Sequence, residues 1–289
     1  MLPREALFIK GPVRLTPSQT RVVDYLLHHP DQTAFLSAAK LGRRLGVSDA
    51  TIVRLAQALG FKGYGQLRKH LRDNLMARLD TVSRLQGTTG RVSSVEGVLR
   101  SVLQADLANL ETLAANLSAA AFEQFVRNLA PRREVHVVGL RSAHSLALFL
   151  TSALRYMGRR VHPVVPGVGD LWADLGSVEP DDVLVAISFP RYTRQTIEVA
   201  EHFHAAGATV LVITDSALSP LSSLARTVLY CPYRIESHME SFVAAFSLLN
   251  AVITAVAFLE GETCLKELGR MERLWEKQGI YHQPSSRGA

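Results

Sequence analysis

Apolar residues recur along this chain with two different periods. Over the first 60 or so positions they return every three to four residues, the spacing of helices with one buried face. Thr16-Pro17-Ser18-Gln19 has the form of a helix start, with Thr16 as cap, Pro17 at the first helical position and Gln19 at capping-box spacing. Val22, Val23, Leu26 and Leu27 follow on one face, and the helix is expected to stop near His29-Pro30, because a residue before proline is pushed out of the α region. A second helix is predicted from Ser37 to Leu45, with Ala38, Leu41 and Leu45 on one side and Lys40, Arg43 and Arg44 largely on the other. Gly46 ends it. Ser48 then caps a third helix that runs to about Leu59 and buries Ile52, Val53, Leu55 and Leu59, with Gly60 suited to the left-handed position beyond. A fourth begins near Gln66.

Helix, short glycine-containing turn and capped helix make a helix-turn-helix, whose second helix enters the DNA major groove with its N-terminal residues against base edges. The apolar stripe leaves Asp49, Thr51, Arg54 and Gln57 to face outward. Arg54 matches the acceptor pair of guanine, Gln57 suits adenine, and Thr51 reaches a base or a phosphate. Asp49 also has a plainer role, favouring the helix dipole from the first turn. Phe61-Lys62-Gly63-Tyr64-Gly65 and Arg68 add cations and two small residues suited to phosphate contacts. With Lys40, Arg43, Arg44, Ser48 and Tyr64 these complete the candidate DNA-contacting set, a solvated basic face being the bland alternative.

Residues 81–94 are small and polar, through Gln86-Gly87-Thr88-Thr89-Gly90 and Ser93-Ser94, and read as a linker. Helical spacing resumes from Val95 to Leu117 through Val98, Val102, Leu103, Leu107, Leu110 and Leu113. From Glu134 onward short β-rich runs alternate with helical ones. Strands are predicted at Val135–Val138, Val161–Val165, Val183–Ile187, Val210–Ile213 and Val228–Tyr230. Helices are expected at about Ser142–Met157, Asp170–Leu175, Thr193–Ala206 and Leu221–Ala225, with a long apolar helix after the last strand. Continuous apolar strands alternating with helices imply a parallel sheet covered on both faces, whose ligands bind at the carboxyl ends of its strands. Gly139-Leu140-Arg141-Ser142-Ala143-His144 follows the first strand and Ser188-Phe189-Pro190-Arg191-Tyr192-Thr193-Arg194 the third. Each sets hydroxyls and cations at a helix start, a composition that suits an anion. Capping hydroxyls with solvated arginines is the plain alternative. Neither GxGxxG nor GxxxxGK[ST] is present, so no nucleotide cofactor is expected.

Charge sharpens this division. The chain of 289 residues has a formal net charge of +6, but residues 1–80 hold 13 basic against 6 acidic side chains and the rest 19 against 20. A nucleic-acid-binding head on a nearly neutral body fits that split. Cys231 and Cys264 form no CxxC pair and no cluster at metal spacing, so they read as reduced core thiols. Met1–Glu5 lacks the basic-then-apolar pattern of a secretory signal, and a cytoplasmic location is expected. Ser241–Leu259 is free of charge for 19 residues. With glutamates on both flanks and Ser241, Ser247, Asn250 and Thr254 inside, it reads as a buried helix or a subunit interface rather than a membrane span.

Two stretches carry a family resemblance. Gly46-Val47-Ser48-Asp49-Ala50-Thr51-Ile52-Val53-Arg54-Leu55 with Leu59-Gly60-Phe61-Lys62-Gly63-Tyr64 resembles the DNA-binding domain of the RpiR (MurR/RpiR) bacterial regulators. Asp181-Asp182-Val183-Leu184-Val185-Ala186-Ile187-Ser188, Gly207 to Asp215 and Ser219-Pro220-Leu221 resemble the SIS (sugar isomerase) domain that these regulators carry as effector module. The resemblance implies two domains, an all-α helix-turn-helix head over 1–80 and an α/β SIS domain with a five-stranded parallel sheet flanked by helices over 121–289. A linker and connecting helix over 81–120 would join them. It also implies a DNA-binding transcriptional regulator, of repressor type, acting on carbohydrate or related metabolism as a homodimer or homotetramer on an operator. The alternative class is a sugar-phosphate isomerase, for which His144, His238 and Glu240 are the acid–base candidates.

SIS strand ends usually read GxGxS and SxSGxT, with the hydroxyls on a phosphate. Ser188 and Thr193 match the second, whereas Arg141 replaces a glycine, the serine of the first has moved to Ser142, and Pro190-Arg191 replaces Ser-Gly. The expected effector is therefore an anionic metabolite, a sugar phosphate or carboxylate, held more by guanidinium forks. The candidate effector-binding residues are Gly139, Arg141, Ser142, His144, Ser188, Arg191, Thr193, Arg194 and Glu240, with no catalytic residue, metal or cofactor.

Overall fold

Hydroxyl caps set the helix starts at the amino-terminal end of the structure, a computed structural model that describes residues 15–29, 33, 36–69, 71, 81–90, 92–130, 134–167, 170–217, 219–233 and 237–282. The chain start Met1–Glu5 and Pro30, on which two sequence readings rest, lie outside these residues. The described chain falls into two compact units, Met1–Asp106 with Arg234–Ser241, and Leu107–Tyr233 with Phe242–Ala289.

In the first unit, helix α1 (Pro17–His28) opens on a full capping box. Thr16 accepts from the Gln19 backbone N–H at 3.3 Å, and its own N–H donates to Gln19 Oε1 at 2.9 Å. Ser37 caps α2 (Ala38–Leu45) and Ser48 caps α3 (Asp49–Ala58). Between α2 and α3 the chain turns through Gly46 at φ 65°, where an L side chain would be strained. Gly42 is required for a different reason: a Cβ there would lie 2.7 Å from the Val47 carbonyl oxygen, so the turn packs directly on the α2 backbone.

Val22, Leu26, Leu41, Ile52, Leu55 and Leu59 meet in the core of this head. Val53, expected inside, is exposed, because the buried stripe of α3 runs through 52, 55, 56 and 59 and position 53 lies about 100° off it. Tyr64 departs from expectation in the opposite sense. Only 6% exposed, its hydroxyl donates to the Leu36 carbonyl at 3.1 Å, and burial pushes its phenol up to about 12 against the pull of Arg68. It braces the core instead of meeting a phosphate.

The expected linker is structured where it begins. Residues Thr81–Thr89 form α4, whose Arg84 is 1% exposed and donates to Glu240 Oε1 at 2.8 Å. Glycine and threonine content alone favours a loop here, but the guanidinium needs a buried partner, and the segment carrying Glu240 supplies it. Removing either charge would strand the other in a low-dielectric site. Helix α5 (Val95–Asn116) follows, with Val98, Leu103 and Leu107 exposed and Leu113 buried.

The second unit is built on five parallel strands, β1 (Val135–Val138), β2 (Val161–Val164), β3 (Val183–Ile187), β4 (Thr209–Thr214) and β5 (Thr227–Tyr230). Their order is β2-β1-β3-β4-β5. Alternate strand residues enter two cores. Val135, Val137, Val183, Val185 and Ile213 pack beneath α6 (Ala119–Leu129), α7 (His144–Tyr156) and α10 (Val243–Glu260). Val138, Leu184, Ala186, Val210 and Val212 pack beneath α9 (Arg194–Ala205). A short α8 (Leu171–Asp174) precedes β3, and α11 (Glu262–Lys277) closes the described fold.

The helix expected at Leu221–Ala225 is a turn in which Leu221 alone is fully buried, too short a run to nucleate. Helix α10 is the one helix among the described residues long and apolar enough to cross a membrane. Its Ala244, Leu248, Leu249, Val252 and Val256 stripe lies in the core, while Phe258 is 83% exposed. Cys231 and Cys264 are both buried free thiols, and burial pushes Cys231 up to about 12.

One half-buried titratable group gives a test of this packing. The His136 ring stacks on His162 at 5.1 Å and meets Phe203 edge-on at 5.0 Å. Burial, and next His162, hold its imidazole below the ordinary value of 6.5, while Asp182 and Glu134 pull the other way. The unfolded chain therefore takes up the proton first as pH falls, so stability is full above 6.5 and declines through the lower folded value. Urea midpoints measured at several pH values should fall from neutral to mildly acid conditions, and His136→Phe should flatten that fall; an equal fall in both proteins would assign it elsewhere. For the head, Tyr64→Phe should lower stability by about 0.5–1.5 kcal/mol while leaving DNA affinity at permissive temperature unchanged.

Candidate functional site

The first unit offers an exposed basic surface on two capped helices. From α3, Asp49, Arg54 and Gln57 are exposed and Thr51 is half-buried. Ser48 and Thr51 engage each other: their hydroxyl oxygens lie 2.9 Å apart, and Ser48 also accepts from the Thr51 N–H at 3.2 Å. Ser48 thus fixes the start of the helix. From α2, Lys40, Arg43 and Arg44 are exposed, and the Arg44 guanidinium carbon lies 5.5 Å from the centroid of the Tyr25 ring, a cation–π contact that steadies it on α1. Lys62 is exposed in the turn after α3, its backbone held by an N–H bond to Gln66 Oε1 at 2.6 Å, and Arg68 is half-buried in the helical stretch 64–69. Guanidinium and amide groups on α3 with ammonium and guanidinium groups beside it can read base edges and hold phosphates at once.

In the second unit all five strands point one way, so their carboxyl ends share one rim. The connections run outward in opposite directions from β1 and β3, which pair directly with Val138 opposite Ala186. That switch point opens a crevice, and the two polar loops follow its two strands.

After β1, Gly139 is dictated by sterics: a Cβ would lie 2.7 Å from the Ala143 carbonyl oxygen and 3.1 Å from Ala147 Cβ. The chain then passes through Arg141 at φ 57° into a 3-10 turn (Arg141–Ala143) and α7, whose first residue is His144. After β3, Ser188 is buried and Arg191 stands at φ 66°. These are the two non-glycine residues with positive φ among the described residues, one in each loop. An L residue in this region is strained and persists only where its surroundings over-determine it, a condition that concentrates at binding sites.

Ser142 and Thr193 are not spent on helix capping. The residue capping α7 is Ala143, and Thr193 at the cap of α9 makes no side-chain capping bond. Arg194 turns away along its own helix, donating to Glu198 Oε1 at 2.7 Å with its side chain 91% exposed. Glu240 is paired with Arg84 within the first unit and stands two residues short of α10's cap Phe242. The rim thus gathers Gly139, Arg141, Ser142, His144, Ser188, Arg191 and Thr193 of the nine candidates.

Two residues escaped the sequence reading. Tyr192 donates its hydroxyl to Asp215 Oδ1 at 2.7 Å, joining the loop after β3 to the end of β4. Asp215 also receives Thr214 Oγ1 at 3.2 Å and, on Oδ2, Ser216 Oγ at 3.1 Å. Burial pushes the Asp215 carboxyl upward against these hydrogen bonds, and burial with the Asp215 charge pushes the Tyr192 phenol upward. The rule that residues just after a strand matter would have singled out Asp215. Among the described residues no group of His, Cys, Asp and Glu is placed to hold a metal ion.

Residues 11–78 match the rpiR-family helix-turn-helix domain, and residues 128–255 match the SIS domain. The HTH-type transcriptional regulator HexR of Pseudomonas aeruginosa is 25% identical over 265 residues, covering 89% of this chain and 90% of that one. The sugar isomerase domain of an RpiR transcription factor from Sphaerobacter thermophilus is similar at TM-score 0.57 and 27% identity, over 60% of this chain and 97% of that one. The Vibrio vulnificus NanR protein, solved in complex with ManNAc-6P, shares the fold at TM-score 0.57 and 18% identity over 91% and 94% of the two chains. With an rpiR-type helix-turn-helix in its first unit and a SIS domain in its second, this chain belongs to the RpiR family of transcriptional regulators.

Proposed function

We propose that the chain is an effector-controlled regulator that binds an operator through α3 and senses an anionic metabolite, a sugar phosphate or sugar carboxylate, at the rim between β1 and β3. The observation that carries the effector half is the pair of arginines held at positive φ at neighbouring strand ends. Strain at both positions where this chain departs from glycine argues for guanidinium groups selected for function. NanR, which binds a sugar phosphate, lends support through its shared fold.

On the DNA side, Arg54 and Gln57 read bases, whereas Lys62, Arg68 and the α2 cations hold phosphates. The protein works as a homodimer or homotetramer in the bacterial cytoplasm, on a palindromic or repeated operator. The exposed leucines of α5 and Phe258 of α10 support self-association. Repression relieved or imposed by the effector requires that the ligand bind the two DNA-affinity states differently. A sugar-phosphate isomerase is disfavoured: Glu240 is committed to Arg84, and the curated relatives are named transcriptional regulators.

Two measurements test the reading. Against a mapped operator, Arg54→Ala should cost about 1–3 kcal/mol and relax base preference, while Lys62→Ala should weaken all sequences and reduce the salt slope by about one. Wild-type binding by both variants would sink the groove assignment. In calorimetry, Arg141→Ala and Arg191→Ala should each weaken binding of a hexose 6-phosphate or a hexuronate; binding confined to neutral sugars and indifferent to Arg191→Ala would remove the anion site.

A further inference from the structure

The left-handed conformation of Arg191 requires something to hold it, and the structure contains a clamp on each side of this residue. Upstream, the Ser188 N–H donates to the Ile213 carbonyl at 3.2 Å, and the Ser188 carbonyl accepts from the buried Thr214 hydroxyl at 2.7 Å. Phe189 is buried, with its ring edge-on to Tyr233 at 5.7 Å. Downstream, Tyr192 reaches Asp215 at 2.7 Å. Ser188, three residues before Arg191, and Tyr192, directly after it, are therefore tied to the consecutive positions Ile213, Thr214 and Asp215 where β4 ends. Besides Tyr192, the Ser216 hydroxyl donates to the Asp215 carboxylate, and the Thr214 hydroxyl, whose one proton is shared with the Ser188 carbonyl, lies 3.2 Å from Oδ1.

We propose that Tyr192 and Asp215 are positioning residues of the anion site, whose hydrogen bond holds Arg191 in its left-handed conformation at the rim between β1 and β3. The inference rests on the effector reading above. Neither residue touches the ligand. They act through Arg191, the neighbouring residue in the chain, by over-determining a backbone that would otherwise relax to negative φ. A merely structural brace would stabilise the fold equally whatever stands at 191. A positioning clamp is instead coupled to the strain at 191, and the coupling disappears when that strain does.

Calorimetry on the full chain, with inorganic phosphate, a hexose 6-phosphate and a hexuronate as probes, separates the two. Tyr192→Phe and Asp215→Ala should each weaken the probe that wild type binds by about three- to tenfold, the worth of one hydrogen bond, and the double variant should be no worse than either alone. Asp215→Asn, which keeps an acceptor, should recover most of the affinity. Arg191→Gly should raise the unfolding midpoint while weakening the probe, and adding Tyr192→Phe to it should weaken the probe no further. Full affinity in Tyr192→Phe and Asp215→Ala overturns the clamp, as does an equal loss on adding Tyr192→Phe to Arg191→Gly. Amide hydrogen exchange reads the clamp without any ligand. Exchange in 189–194 should accelerate in folded Tyr192→Phe and much less when the same change is made in Arg191→Gly, and unchanged exchange in Tyr192→Phe refutes it. Wild type that binds none of the probes refutes the effector reading, and the positioning role with it, whatever the exchange shows.

Discussion

Everything in the second unit depends on one constraint: a parallel sheet must return each strand to the same end by a crossover, most often helical, over one of its faces. Five strands obeying it bury both faces, as the two cores on either side of the sheet record. They also bring every strand's carboxyl end to one rim. Because β2 lies on one side of β1 and β3 on the other, the helices following β1 and β3 cover opposite faces. The crevice between their first turns is a consequence of topology, and side chains only have to equip it.

The rim shows how backbone sterics and side-chain chemistry divide the work. Gly139 is needed because α7 starts so close to β1 that no Cβ fits. Arg141 and Arg191 occupy backbone positions where glycine would be relaxed, and there the chain accepts strain. A binding loop that is strained but held by its neighbours is preorganised, so a ligand need not bear the cost of ordering it.

In the first unit, fixed capping hydroxyls and a backbone-tight turn at Gly42 set the angle between α2 and α3. Tyr64 and Arg84 show the same principle with polar groups. Each is a large side chain with a polar end, each is buried, and each has found an oxygen partner distant in sequence, the Leu36 carbonyl for one and Glu240 for the other. Buried donors are tolerated only when satisfied, so these contacts specify their local arrangement as well as stabilising it.

Local patterns in the sequence determined the three head helices, the cap residues Thr16 and Ser48, the five strands to within a residue at either end and the two rim loops, because capping, periodicity and strand alternation are written within a few residues of each other. Most of the candidate site was legible for the same reason, since a strand end is a local landmark. What the sequence misassigned depended on partners far along the chain. Arg84 turned an apparent linker into a helix through a residue 156 positions away. Tyr64 became core through its bonds to the segment before α2, and Glu240 found its partner in Arg84. Only the tertiary structure placed Tyr192 against Asp215 and gave Arg141 and Arg191 their positive φ, because hydrogen bonds across strands and backbone strain are settled by packing and leave no periodic trace in sequence.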